Sequence, residues 1–234
     1  SGHAGIPVKI SEPEISISYS EPIRDGNYFV VTLTIENNGQ VPIDNLTLTD
    51  KTFGFQCLKT GWMRSGYGTA FGPEQPIEYE VTTSRWGDSS YISTGDLGTL
   101  HPDEAIRLKY YAVPVLLWEE TTYGFGRPLK LQYQPRGGRG RIEYPPSTCL
   151  VSSEKMNHAF LDADYLIVTN SQRLFDDNEP NDADVNELLA TMAELAKEKN
   201  GVLGHLCYGE DWPGALKRRI REGGTWYEKR EPFG

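Results

Sequence analysis

Between Tyr28 and Glu36, hydrophobic residues fall on every second position: Phe29, Val31, Leu33 and Ile35 on one side, Val30, Thr32, Thr34 and Glu36 on the other. A period of two puts one set on each face of a strand and predicts that one face is buried. Asn37-Asn38-Gly39, residues that tolerate a left-handed backbone, end the run. The same alternation marks Ile15–Tyr19, Leu46–Thr49 (closed by Asp50), Ile77–Thr82 and Leu129–Gln134. It marks Ala105–Val113 too, with Ile106, Leu108 and Tyr110 opposite Arg107, Lys109 and Tyr111. Gly- and Pro-rich turn clusters separate these runs, and none of residues 6–150 shows a convincing helical period. Two antiparallel sheets packed face to face are the natural way to bury such strands.

The pattern changes at about residue 158. Asp164–Thr169 is a short apolar run without alternation, as in a strand covered on both faces. Beyond it Val185, Leu188, Leu189, Met192, Leu195 and Ala196 recur at helical spacing and predict a core-facing stripe. Asp184 with Glu187 makes a capping-box-like start, and Gly201 a stop. Val202–Tyr208 reads as a second buried strand and Trp212–Arg221 as a second helix, with Pro213 near its first turn. The order β-α-β-α implies parallel strands joined by a crossover. The fold expected is α+β: a sandwich over residues 6–150 and a small α/β unit over 151–234, with the Gly-, Pro- and Arg-rich stretch 135–147 as a loop or linker between them. Two strands are few for an independent sheet, so the second unit should dock on the sandwich or complete its sheet by dimerising.

Composition narrows the function. The 234 residues carry a formal net charge of −10, and both halves are net acidic. That argues against sequence-independent nucleic-acid binding. The short basic stretch Arg136–Arg141 then reads as a hairpin loop or linker rather than an RNA-binding segment. No apolar run is long enough for a membrane helix, and no charged-then-apolar leader opens the sequence. Cys57, Cys149 and Cys207 are too few for a disulfide scaffold; either Cys57 pairs with Cys149 in an oxidising compartment, or all three are free thiols.

Two resemblances add to this reading. "VVTLTIENNGQVPIDNLTLTD" followed by "STGDLGTLHPDEAIRLKYYAV" resembles the conserved-repeat Ig-like domain of prokaryotic surface proteins: Asn37-Asn38-Gly39, Asp50, and Leu97-Gly98-Thr99-Leu100 with Pro102 match, while Asp103 stands where Gly is common. "ADYLIVTNSQRLF", "DVNELLATMAELAKEKNGVLGHL" and "GALKRRIRE" are similar to the opening subdomain of gingipain-like cysteine peptidases. The first resemblance implies an Ig-like sandwich of an exported or cell-surface protein. The second implies a partial α/β unit whose catalytic His and Cys would lie on later strands.

Few residues suggest chemistry. His205 and Cys207 share a strand face about 7 Å apart, whereas a Cys–His dyad draws its partners from elements that bring them into hydrogen-bond reach; they read as strand residues. No catalytic set is assigned. Asp176, Asp177, Asn178, Asp182 and Asp184 offer closely spaced oxygens of the kind calcium takes, without the spacing of an EF-hand; a solvated loop favouring the next helix N-terminus is the alternative. Asn45-Leu46-Thr47 is a glycosylation sequon, a tripeptide frequent by chance. Trp62, Tyr67 and Phe71, in what read as Gly-rich loops together with Tyr123 and Phe125, and Trp118, ending the apolar run from Val113, form the candidate surface for a carbohydrate or protein partner.

The function expected is structural or adhesive, as a non-catalytic part of a larger exported surface protein. Its partners would be other domains of that protein or other surface proteins, or a second copy of the chain. The alternatives are the N-terminal portion of a gingipain-like peptidase and a calcium-stabilised adhesion module.

Overall fold

The computed structural model describes residues 14–84, 89–116, 122–169 and 183–205. Their first part is an antiparallel Ig-like β-sandwich. One sheet is built on β3 (Tyr28–Asn37) and β11 (Glu104–Leu116), with β1 (Ile15–Tyr19) and β2 (Ile23–Asp25) along the far side of β3. The other edge of β11 is shared: β6 (Thr60–Tyr67) takes Glu104–Lys109, then β5 (Phe55–Cys57) takes Ala112–Pro114. Next to β6 lie β7 (Ala70–Phe71) and β8 (Gln75–Glu78). The opposing sheet runs β14 (Arg141–Glu143), β13 (Lys130–Pro135), β4 (Ile43–Lys51), β10 (Ser90–Ser93), β9 (Glu80–Thr83). A short pair, β12 (Tyr123–Phe125) and β15 (Cys149–Val151), closes one end.

The alternation of β3 is realised without exception: Phe29, Val31, Leu33 and Ile35 are completely buried between the sheets. Leu46 and Leu48 of β4, Leu108 and Tyr110 of β11, and Leu131 and Tyr133 of β13 meet them there. Phe55 stacks on Phe125 at 4.8 Å and meets Phe29 and Tyr123 edge-on at 5.5 and 5.6 Å. The expected strand Ile77–Thr82 is really two. It leaves β8 in the first sheet and enters β9 in the second, turning the corner at buried Tyr79, whose hydroxyl donates to the Lys109 carbonyl at 3.2 Å.

Asp50 sits in this interior. Its carboxylate accepts from the Tyr19 hydroxyl at 2.8 Å, from the Tyr110 hydroxyl, and from the Gly126 amide at 2.8 Å. Tyr19 and Tyr110 belong to one sheet and Asp50 to the other, so the carboxylate fastens the layers together. Burial pushes its pKa up to about 6 against hydrogen bonds that pull it down.

The second part of the chain docks on the first. Helix α1 (Ser153–Asp162) starts at Ser152, whose side chain accepts from the Lys155 amide, and it buries Met156, Ala159 and Phe160. Sequence periodicity missed this helix, which places a helix ahead of β16 in the expected β-α order; ten residues with one buried triplet give a weak stripe. β16 (Tyr165–Thr169) and β17 (Gly201–His205) are parallel, joined through helix α2 (Ala183–Glu198). β17 pairs with Val115 and Leu116 at the end of β11. Pro114, which has no N–H for a ladder, falls where β5 gives way to β17. The buried Asn27 donates its amide to the carbonyls of Ala196 and Gly201, so a sandwich side chain satisfies an orphan carbonyl in the last turn of α2.

Three expectations need correction here. The apolar run from Val113 is not a free partner surface, because Val113, Val115 and Leu116 are fully buried, the two valines against Ala193, Ala196 and Leu203. Trp118 lies outside the described residues. The stripe of α2 holds in part: Leu189 and Ala196 are buried and Met192 packs against the core as expected, whereas Leu188 and Leu195 are 43% and 44% exposed and Ala190 and Ala193 take buried positions instead. Small alanines let the helix sit close to the sheet and leave no room there for those leucines. The stretch 135–147 contains β14 and forms a hairpin with β13, held by Arg136 on Asp44 at 3.0 Å. The expected helix over Trp212–Arg221 lies outside the described residues.

Because Asp50 ionises near 3.8 when solvated and near 6 when folded, the folded chain keeps a proton between those values that the unfolded chain has lost. Raising the pH from about 4 to about 6 therefore removes stability through this group, and the contribution is flat above. Melting temperatures from pH 3.5 to 7 for the protein and for Asp50→Asn should diverge in that window and run parallel above it. Parallel curves throughout would show that the buried carboxyl titrates normally.

Candidate functional site

The outer face of the first sheet is the most distinctive surface of the molecule. Outward positions of β11 are Arg107, Lys109, Tyr111, Val113 and Val115 in order. Helix α2 covers the two valines, and the three residues before them remain half-buried at the surface. Register places Lys109 opposite Trp62 and Arg107 opposite Arg64 on β6, and Gly66 of β6 opposite Phe71 on β7. On the other flank, β3 sets Thr34 beside Arg107 and Thr32 beside Lys109.

These side chains form a connected layer. Trp62 Nε1 donates to the Tyr111 hydroxyl at 3.1 Å, and Trp62 remains 37% exposed. Tyr111 meets Tyr28 edge-on at 6.0 Å, with the Lys197 ammonium 4.9 Å from both ring centroids. The Arg107 and Arg64 guanidinium carbons stand 3.9 and 5.3 Å from the Phe71 ring centroid. Lys109 holds Glu74 at 2.8 Å, and that hydrogen bond keeps the Glu74 carboxyl below its usual range. Gly66 is required: a Cβ would come 2.1 Å from the Ala70 carbonyl oxygen, so any side chain would force apart the hairpin that presents Phe71.

Arg64 opposite Arg107 is a like-charge pair on neighbouring strands, an arrangement that costs stability. Among the described residues neither forms a salt bridge with a carboxylate. Their shared neighbour is the Phe71 ring, and the Glu74 carboxylate, bound to Lys109, is also attracted to Arg64.

Of the candidate residues, Trp62 and Phe71 come together on this face, on strands β6 and β7 rather than in loops. Tyr67 falls on the alternate parity of β6, opposite Glu104, and is 50% exposed away from them. Tyr123 and Phe125 are interior residues, 2% and 0% exposed. Asp176, Asp177, Asn178, Asp182 and Cys207 lie outside the described residues; Asp184 is in the first turn of α2 and His205 ends β17. Among the described residues no cluster of three or more His, Cys, Asp or Glu is placed to hold a metal. Cys57 and Cys149 are free thiols. Burial pushes Cys57 up to about 12 and also raises Cys149, so both are held protonated rather than as nucleophilic thiolates. Sequence reading singled out neither Arg64 nor the outward half of β11. The alternating Arg107-Lys109-Tyr111 was visible as a polar face, but its alignment with Arg64 depends on cross-strand register.

On the opposite sheet, a cavity of about 560 Å³ is lined by Asn45, Thr47, Tyr133 and Arg141 among others. It places the sequon residue Asn45, exposed and with φ of 55°, at its rim. No helix among the described residues is long and apolar enough to cross a membrane.

No family model matches the chain, and no curated protein does. Among solved structures it is similar to the collagen-binding subdomain of the Enterococcus faecalis surface protein ACE, with 9% identity over 58% of this chain and 95% of that one and a TM-score of 0.39. It is similar to the CBM3a-L domain of the scaffoldin cipA from the cellulosome of Clostridium thermocellum, with 12% identity over 59% and 95% and a TM-score of 0.34. The collagen-binding domain of a Staphylococcus aureus adhesin gives 10% identity over 58% and 94% and a TM-score of 0.33.

Replacing Arg64 by Gln should leave the melting temperature unchanged or raise it at low salt, by the equivalent of up to about 0.5 kcal/mol. It should also shrink any gain the protein shows on adding salt, since that gain reports screened repulsion. Thermal melts in 10 mM and 500 mM salt measure both, and a loss above about 1 kcal/mol would mean the pair supports the fold.

Proposed function

We propose that the chain is a non-catalytic recognition module of an exported or cell-surface protein, binding its ligand on the outer face of the β3–β11–β6 sheet. The observation that carries this reading is the layer of Trp62, Tyr111, Tyr28 and Phe71 interleaved with Arg64, Arg107, Lys109 and Lys197. Aromatic rings and arginines are the side chains that carry most binding energy at recognition surfaces. Here they stand on paired strands rather than on loops, so little conformational freedom is lost when a ligand settles.

Within the same proposal, residues 6–150 supply the binding sheet and residues 151–234 brace it. Helix α2 brings Lys197 to the tyrosine pair and covers the valines where the polar face stops.

The test is retention on immobilised extracellular polysaccharides and matrix proteins, read by biolayer interferometry. At least one surface should bind the protein and lose about tenfold or more with Trp62→Ala, while Tyr67→Ala, off the face, changes little. Equal loss from both variants, or binding indifferent to Trp62, would move the site elsewhere.

A further inference from the structure

We infer that the Arg64–Arg107 pair on Phe71 is a carboxylate subsite, and that the ligand of this face is an extended uronic-acid polysaccharide; the inference rests on the face being the binding site. Two guanidinium groups in register across adjacent strands repel one another; Glu74, held by Lys109, attracts Arg64 from a distance, but among the described residues no carboxylate is within salt-bridge reach of either arginine. A structural role would favour one arginine with an acid or a neutral partner. Instead both guanidinium carbons lie within 5.3 Å of one aromatic ring centroid, and a planar fork of N–H groups is the shape that donates two parallel hydrogen bonds to a carboxylate. A carboxylate has that planar, two-oxygen shape.

The rest of the face says what carries the carboxylate. Trp62 is two positions from Arg64 on the same face of β6, about 7 Å along the strand. An exposed indole on a flat sheet suits the C–H face of a pyranose ring, with its hydroxyls reaching Thr32, Thr34 and the Lys109 ammonium in the adjoining rows. Ring platform and anion fork therefore sit as neighbours, as the neutral and acidic groups of a sugar-acid polymer do.

Charge sets the density. Glu36, two positions from Thr34 on the same face of β3, and Glu74, on Lys109, lie beside the arginines, and the whole chain has a net charge of −10. Duplex nucleic acid, with about one charge per 1.7 Å of its axis, meets that border unfavourably, whereas a uronate chain carries a single carboxylate per sugar ring. An acidic peptide would need pockets for side chains or a free strand edge, and the middle of a paired sheet offers neither.

Affinity electrophoresis in gels containing polygalacturonate, alginate, heparin, dextran or poly-glutamate separates the cases. The protein should be retarded by polygalacturonate or alginate and much less by dextran or poly-glutamate. Arg64→Ala and Arg107→Ala should each weaken retardation about tenfold, Arg64→Lys and Arg107→Lys several-fold, and Trp62→Ala about tenfold, with melting temperatures preserved. Retardation by dextran that depends on Trp62 and not on the arginines would overturn the carboxylate subsite while keeping the face as a recognition surface. Poly-glutamate or heparin binding at least as well as the uronates would overturn it as a sugar-acid site. No retardation by either uronate would overturn it outright, and uronate binding indifferent to all three residues would overturn the face as well.

Discussion

One strand has to serve two neighbours on its outer side, and the rest of the molecule follows from how it does so. β11 is thirteen residues long, and its inward positions from Ile106 to Leu116 are apolar throughout, as the sandwich core demands. Its outward positions change character between Tyr111 and Val113. Before that point Arg107, Lys109 and Tyr111 can face a ligand or water; after it Val113 and Val115 must be covered, and the chain's own α2 and β17 cover them. The break fixes where the α/β unit docks and where the exposed face ends. Tyr111 stands at the border and touches both sides, through Trp62 on one and Lys197 on the other.

Polar groups buried at the joints make that arrangement specific rather than merely stable. A carboxylate at Asp50 is expensive to desolvate, and an apolar residue of similar size would fill the same space. What the acid adds is direction: two tyrosines of one sheet and an amide near β12 must all reach it at once, which a slipped strand cannot achieve. Asn27 does the equivalent at the junction with α2. Each leaves an unpaired buried group if its element shifts, which holds the strands of the sandwich and the α/β unit in one register.

The sequence was most readable where one residue's surroundings decided its place. β3 alternates because its whole length lies between one core and one surface, so period alone identified its buried set. β6 was read as a loop because Gly61, Ser65 and Gly66 look like turn residues; Gly61 and Gly66 are small because backbone and ring atoms press against them within the sheet, a tertiary cause invisible along the chain. The stripe on α2 went wrong at Leu188 and Leu195 for a related reason. Leucines mark a buried face when the neighbouring surface has room, whereas close approach to Val113 and Val115 favours Ala193 and Ala196. The basic-aromatic face needed three strands from distant parts of the sequence to be set in register, and no local pattern encodes register. The acidic run proposed for calcium falls outside the described residues except for Asp184, and that reading stands on sequence alone.

The acidity of the chain and the basicity of this face are parts of one design rather than a contradiction. Exposed charges farther apart than about 8–10 Å are largely screened at physiological salt, so the net charge of the whole chain counts little at this face, and the arginine pair acts at contact. Only at low salt does the acidic body slow the approach of a dense polyanion. At contact two guanidinium groups on a ring still offer directed hydrogen bonds that screening weakens little. In the proposed role, selection among anions at this face would rest on contact geometry rather than on the net charge of −10.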